Sequence, residues 1–205
     1  MNVFLPDCLR GEVALVTGAS RGIGHAISDQ LMRAGAAVVG TATSQSGADQ
    51  ISQRFAAMAG QGRGAVLDVC DSVASDALIN AISREYGKLS ILVNNAGVTR
   101  DALAMRMKDD DWSAVIDTNL SAVFRLSRAV LRGMMKARQG RIINITSVVA
   151  ASEIPRSCGV RLGVPPALAP RRIGPLSWSG PVPVIDISAM PSARASSAMA
   201  SPADL

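Results

Sequence analysis

Two short stretches of this chain combine residue types and spacing suited to chemistry. The first, "VTGASRGIGHAI", sets Gly18, Gly22 and Gly24 in a TGxxxGxG arrangement, after an apolar run and at the head of an amphipathic one. Glycines there let backbone amides come close to a phosphate, and a helix N-terminus adds a favourable partial positive charge. A tight strand-to-helix turn uses glycines too, so it is the strand–turn–helix context that points to a nucleotide. The second stretch, "RIINITS" at 141–147, is an apolar run that ends on polar residues. A buried strand that opens onto polar side chains at its end is a place where an enzyme sets out reacting groups.

The dinucleotide can be chosen from the end of the second apolar run. An NAD site needs a carboxylate there to hold the ribose 2′-hydroxyl. This chain has "GTATSQS", hydroxyls without an acid, and Arg21 stands inside the glycine turn. A guanidinium beside hydroxyls suits a 2′-phosphate, which favours NADP(H); the other reading is a solvated Arg21.

Five β-rich runs position these groups: 12–18, 36–43, 64–69, 91–97 and 141–147. Amphipathic stretches alternate with them, one opening on Asp71 or Ser72 as N-cap and closing at Gly87. The last, over 110–140, places Trp112, Val115, Ile116, Leu120, Val123, Phe124, Val130, Leu131 and Met134 at three- and four-residue steps, which predicts one core-facing stripe. Strands apolar on both faces and alternating with helices predict a doubly wound α/β domain around a parallel, Rossmann-like sheet.

Composition narrows the function classes. The 205 residues are 48% hydrophobic and carry a net charge of +5, with only 3% aromatics. A nucleic-acid reader would show a basic stripe with interleaved aromatics, so nucleic acid is not expected as a partner. No window of about 18 uninterrupted apolar residues predicts a membrane span, and the N-terminus has no secretory pattern. Cys8, Cys70 and Cys158 lack metal-ligand spacing and read as small buried hydrophobes in a reducing compartment. No metal site is expected, and the lone His25 reads as a surface or packing residue.

In order and spacing, "TGASRGIG", "LDV" at 67–69, "NNAG" at 94–97, "TNL" at 118–120 and "NITS" at 144–147 resemble the short-chain dehydrogenase/reductase family. "GVTRDALAMRMKDDDW" and the run from "TNLSAVF" to "NITSVV" are similar to its bacterial 3-oxoacyl-[acyl-carrier-protein] reductases; many other carbonyl reductases share this half. The resemblance covers about residues 8–150. It implies that Gly18, Ser20, Arg21, Gly22, Ile23 and Gly24 wrap the cofactor phosphates, with Thr43 near the 2′-phosphate. It further implies Asp68 and Val69 at the adenine, and Asn95, Ala96 and Gly97 along the ribose. Ser147 matches the serine that hydrogen-bonds the substrate carbonyl, and Asn119 the asparagine that holds a proton-relay water. Each has a plainer reading: "NNAG" as an ordinary turn, Asp68 as a helix cap, Asn119 as a helix kink, Ser147 as a strand cap. The implied reaction is NADPH-dependent reduction of a 3-oxoacyl group on acyl carrier protein, in the cytoplasm. Members are commonly homotetramers.

The resemblance also requires a tyrosine near Val160, to protonate the forming alkoxide, and a lysine near Val164 to lower that tyrosine's pKa. Neither is present: the sole tyrosine is Tyr86 and the last lysine is Lys136. Nine of the ten prolines lie at or beyond Pro155, where Ala, Ser, Pro and Arg dominate without period. The chain therefore divides into an incomplete NADP-binding domain, 1–150, and an aperiodic tail, 151–205, disordered or frameshifted, with the remaining strands and helices missing or replaced. "PVPVIDISAM" is the one strand-like run of the tail, demoted by Pro181 and Pro183. Loss of reading frame accounts for the abrupt junction; an authentic divergent tail is the alternative.

Overall fold

The computed structural model describes residues 7–100, 102–146, 159–160 and 184–186. Its centre is a sheet built from β1 (Val13–Val16), β2 (Ala37–Ala42), β3 (Gly62–Val66), β4 (Ile91–Asn94), β6 (Arg141–Asn144) and β8 (Val184–Asp186), in the order β3-β2-β1-β4-β6-β8. The first five are parallel, and β8 runs antiparallel to β6. A separate short pair joins β5 (Ala102–Leu103) antiparallel to β7 (Gly159–Val160). Among the described residues, then, the predicted doubly wound sheet is present with all five of its strands.

Helices α1 (Gly22–Arg33), α2 (Gln45–Ala57), α3 (Ser72–Tyr86), α4 (Asp109–Ile116) and α5 (Ala122–Ala137) connect the strands. Alternate residues of each strand enter different cores. Leu15, Val39, Leu92 and Ile142 meet Ile79 and Ile82 of α3 and Leu126, Val130 and Met134 of α5. Ala14, Val16, Val38 and Val93 meet Leu31 of α1 and Ile51 and Phe55 of α2. Burial on both faces is why the strands read as unbroken apolar runs. The expected caps of α3 also hold: Asp71 accepts a hydrogen bond from the Ala74 amide at 2.9 Å, and Gly87 closes the helix at φ +78°.

Three expectations change. The predicted strand 64–69 starts earlier, at Gly62, and ends at Val66, because β2, the strand it pairs with, ends at Ala42; Leu67 and Val69 are buried beyond the ladder. The demoted run in the tail does supply a strand, β8, which begins immediately after Pro183, so neither proline stands inside the ladder.

The long helical stretch is the third. Five residues of π-helix, Asp117–Ser121, separate α4 from α5, and widening the turn rotates everything that follows. The buried positions are Val115, Ala122, Leu126, Val130 and Met134; Trp112, Leu120 and Phe124 are 47%, 40% and 60% exposed. A single helical phase carried through the turn therefore names Phe124 as core, while Trp112 before the turn and Leu120 inside it are also exposed. Leu126→Ala should cost about 2–5 kcal/mol and Phe124→Ala within roughly 0.5 kcal/mol of nothing, read by urea unfolding. Equal costs would contradict the shifted phase.

At the opposite sheet edge, Glu12 gathers Lys88 Nζ at 3.0 Å and Gln139 Nε2 at 3.1 Å, tying the start of β1 to the entries of β4 and β6. Burial pushes the Glu12 carboxyl up, but hydrogen bonds from Ser90, Lys88 and Gln139 and the Lys88 charge outweigh it and hold the group below its ordinary 4.5. A depressed folded pKa stabilises fully above the unfolded value and fades as pH falls through the lowered one. The stability advantage of wild type over Glu12→Gln should accordingly be complete near neutrality and shrink below pH 4.5, as followed by thermal unfolding across an acid series.

Candidate functional site

Strand order reverses at β1: β2 and β3 extend to one side, β4 and β6 to the other. Loops leave the C-terminal ends of β1 and β4 side by side there; in open α/β sheets this switch point is the crevice that takes ligands. Thr17 and Gly18 follow β1, and Asn95 to Gly97 follow β4.

Thr17 joins the two loops. It is 1% exposed. Its Oγ1 accepts from the amides of Asn95 at 2.9 Å and Ala96 at 3.0 Å, and donates to the Val93 carbonyl at 3.3 Å. Asn95 answers in the other direction, its Nδ2 donating to the carbonyls of Thr17 at 3.0 Å and Gly18 at 3.1 Å. Strand β2 holds the far side, where Thr41 Oγ1 accepts from the Gly18 amide at 3.3 Å and the Thr41 carbonyl from the Ala19 amide at 2.8 Å.

Within this frame the glycines have separate reasons. Gly18 and Gly22 adopt φ of +66° and +59°, the left-handed region that disfavours a side chain. Gly24 has ordinary φ, but a Cβ there would overlap the Gly18 carbonyl oxygen and Asn95 Nδ2. The start of α1 thus lies directly on the turn. Its N-cap, Arg21, is extended and makes no side-chain capping bond, so the first-turn amides have no side-chain acceptor from that residue. Ser20 is half-buried at the rim, while Arg21 and Ile23 project outward.

Thr43 stands exposed just past β2, and its neighbour Ser44 caps α2 by accepting from the Gly47 amide at 3.2 Å. Asp68 accepts from the Cys70 amide at 2.9 Å and so shapes the turn before α3, whose cap is Asp71; Val69 is buried. Strand order brings these residues to the same sheet edge as the glycine turn without direct bonding between them. Gly97 lies against Asn119, whose Nδ2 donates to the Val98 carbonyl at 2.8 Å and whose Oδ1 accepts from the Val98 amide at 2.9 Å. Asn119 sits inside the π-helical turn and pins the loop after β4. Ser147 lies outside the described residues; the β4–β6 ladder leads toward it through Ile145, whose amide donates to the Asn94 carbonyl at 2.9 Å.

Sequence reasoning passed over Thr17, Thr41, Arg54 and the pair Asn94–Asn144, in which Asn94 Nδ2 donates to Asn144 Oδ1 at 2.8 Å beneath the crevice. The one available signal was a polar residue at the C-terminal end of an apolar run. The cysteine expectation is corrected: Cys8 and Cys70 are exposed, because both fall in turns at the sheet rim, and Cys158 lies outside the described residues. His25, on the outer side of α1, stands 3.2 Å from Asp29. Among the described residues no group of three or more His, Cys, Asp or Glu could hold a metal, and no helix is long and apolar enough to cross a membrane. A cleft of about 370 Å³ lies at the far edge around Glu12, Ser90 and Arg141, remote from the glycine turn and occupied with the structural network there.

Comparison with known proteins gives the same outline. The family model described as short chain dehydrogenase matches residues 12–159. The chain is 57% identical over 139 residues to the 3-oxoacyl-[acyl-carrier-protein] reductase FabG of Salmonella typhimurium, covering 68% of this chain and 56% of that protein. It is 56% identical over 139 residues to the same enzyme of Escherichia coli K12, covering 68% and 56%. With that of Haemophilus influenzae it shares 49% over 159 residues, 76% of this chain and 64% of the relative. The chain thus spans little more than half the length of the first of these curated relatives. A glycine turn locked to a neighbouring strand end, and a family match running from the first strand past the last parallel one, have one reading: the chain belongs to the short-chain dehydrogenase family.

Proposed function

We propose that residues 1–150 form an NADP(H)-binding domain, and that the reaction for which it is shaped is reduction of a 3-oxoacyl group on acyl carrier protein to the (3R)-hydroxyacyl form. The observation that carries the cofactor reading is the glycine turn itself. Gly18 and Gly24 keep side chains out of the place where backbone and helix meet, and the turn is braced from behind by Thr17, Asn95 and Thr41. This residue set fits a dinucleotide. Gly18, Ser20, Gly22, Ile23 and Gly24 hold the phosphates, Asp68 and Val69 the adenine, and Asn95, Ala96 and Gly97 the ribose. Arg21 and Thr43 supply a cation and a hydroxyl for a 2′-phosphate, where no carboxylate follows β2 to prefer NAD. When bound, the reduced nicotinamide supplies a hydride.

On the protein side, the reaction needs a donor to the carbonyl oxygen and a source for its proton. Ser147 provides the first, and Asn119 holds a water on the proton-relay path. The chain as written has nothing for the second. Its one tyrosine, Tyr86, ends α3, which has carried the chain back to the edge where β4 begins, opposite the glycine turn. Burial, and then the hydrogen bond and charge of Glu85, push the Tyr86 hydroxyl above its ordinary 10.0, so it stays protonated where it is and offers no acid to the crevice. We infer that this polypeptide binds cofactor without turnover, and that residues 151–205 are a Pro/Arg/Ala/Ser-rich tail produced by lost reading frame. A cytoplasmic location and assembly with further copies are part of the same reading, the assembly weakened by what the tail replaces.

Fluorescence titration of the full chain should show NADPH binding tighter than NADH, with no reduction of a 3-oxoacyl thioester. Turnover by the chain as written would overturn the inactive reading, and absence of binding the cofactor reading. Resequencing genomic DNA across codons 145–170 should reveal one inserted or deleted base that restores Tyr-x-x-x-Lys beyond Ser147; an intact frame would make the tail authentic.

A further inference from the structure

Resting on the cofactor reading above, we propose that Arg54 is a positioning residue for the phosphate-binding turn. Arg54 is on α2, an element to which nothing in the sequence gives a role in the site. Its Nη2 donates to the carbonyl of Ala19, inside the turn, at 3.2 Å, and to Ser28 Oγ of α1 at 3.0 Å. Its Nε lies 2.9 Å from Asp29 Oδ1, a charge contact rather than an aligned hydrogen bond, and the guanidinium stands 5.1 Å over the ring centre of buried Phe55. The Arg54 and Asp29 side chains are 19% and 16% exposed. A guanidinium held on that many sides has one orientation: Nη2 alone serves the carbonyl and the hydroxyl, while the Nε side of the planar fork faces Asp29.

What that grip does follows from peptide geometry. A trans peptide is planar, with its C=O and N–H pointing opposite ways, and no peptide among the described residues is cis. The Gly18–Ala19 peptide is held at both ends, by Asn95 on its carbonyl and by Thr41 on its amide. The next peptide is held at its carbonyl by Arg54, and no protein acceptor takes its Ser20 amide among the described residues. Drawing the Ala19 carbonyl toward α2 therefore turns the Ser20 N–H the other way, toward the crevice. Without Arg54 that plane is free to rotate, and between two left-handed glycines little opposes it. A rotated plane would present a carbonyl to a phosphate in place of a donor. Asp29 and Ser28 serve by holding the guanidinium in place, and His25 bounds Asp29 from outside at 3.2 Å.

The test compares the full-length wild type with Arg54→Met, Arg54→Lys and Asp29→Asn. Its readouts are NADPH affinity by titration, amide exchange of the Gly18–Gly24 segment in the free protein, and thermal unfolding. Losing a hydrogen bond from a charged donor should weaken NADPH binding about tenfold in Arg54→Met. Exchange over the turn should rise in parallel, with exchange of β1 and β4 unchanged. Arg54→Lys, which keeps a cation but not the fork, should recover part of both, and Asp29→Asn should fall between. If Arg54→Met melts early, the two milder variants carry the comparison. Unchanged turn exchange, or unchanged NADPH affinity beside a folded variant, would overturn the role of Arg54. A wild type that fails to bind NADPH would overturn the cofactor reading, and with it the purpose assigned to this residue.

Discussion

Two loops leave the sheet side by side at the ends of β1 and β4, and their backbone groups must be paired without filling the crevice between them. Thr17 and Asn95 meet that demand with side chains. The Thr17 hydroxyl takes two amides from the β4 loop, and the Asn95 amide returns two bonds to the β1 loop, both behind the turn rather than across its mouth. Buried backbone donors and acceptors left without partners would each cost about 1–3 kcal/mol, so this exchange lets a crevice exist at the switch point of the sheet. The conformations of Gly18 and Gly24 follow from it, since one shares the bonded loop and the other is packed against the same atoms.

The brace extends in layers. Thr41 on β2 holds the Gly18 amide, and Arg54 on α2 holds the Ala19 carbonyl. Below the crevice, Asn94 and Asn144 join β4 to β6, and at the far edge Glu12 collects Lys88 and Gln139. The polar side chains that matter here thus sit at the two rims of the sheet or between strands, and the apolar residues fill two separate cores between the sheet and its helices. Burying both faces leaves the loop edges as the places where polar chemistry can be displayed.

The π-helical turn at Asp117–Ser121 links packing to the site. Widening the helix by one residue brings Asn119 to the loop after β4, where it pairs with both backbone groups of Val98. The same step rotates α5 so that Leu126, Val130 and Met134 face the core while Leu120 and Phe124 face outward. A local irregularity therefore sets both a site residue and the register of a whole helix face. The glycine turn and the loops that brace it are complete in this chain, while its sequence holds no tyrosine after Ser147.

Much of this was legible without coordinates. Unbroken apolar runs alternating with amphipathic ones specify a parallel sheet covered on both sides, because only burial on two faces demands that pattern. The glycine turn, the Asp71 and Gly87 caps and the absence of a tyrosine–lysine pair after Ser147 are local facts, visible in a few adjacent letters. The identity of the groups that brace the turn was not legible. Thr17, Thr41 and Arg54 act across tens of residues of sequence, and nothing local marks a threonine or arginine that has a distant carbonyl to hold. Helix phase beyond the π-turn was hidden as well: Leu120 and Phe124 keep a helical spacing, but which side of α5 meets the sheet depends on a turn widened at Asp117–Ser121. Sequence by itself determined the fold class, the place of the glycine turn and the absence of a tyrosine–lysine pair after Ser147, since each rests on local pattern or simple presence. Only the tertiary structure decided which side chains hold that turn open, because pairing buried polar groups is a long-range constraint satisfied in three dimensions.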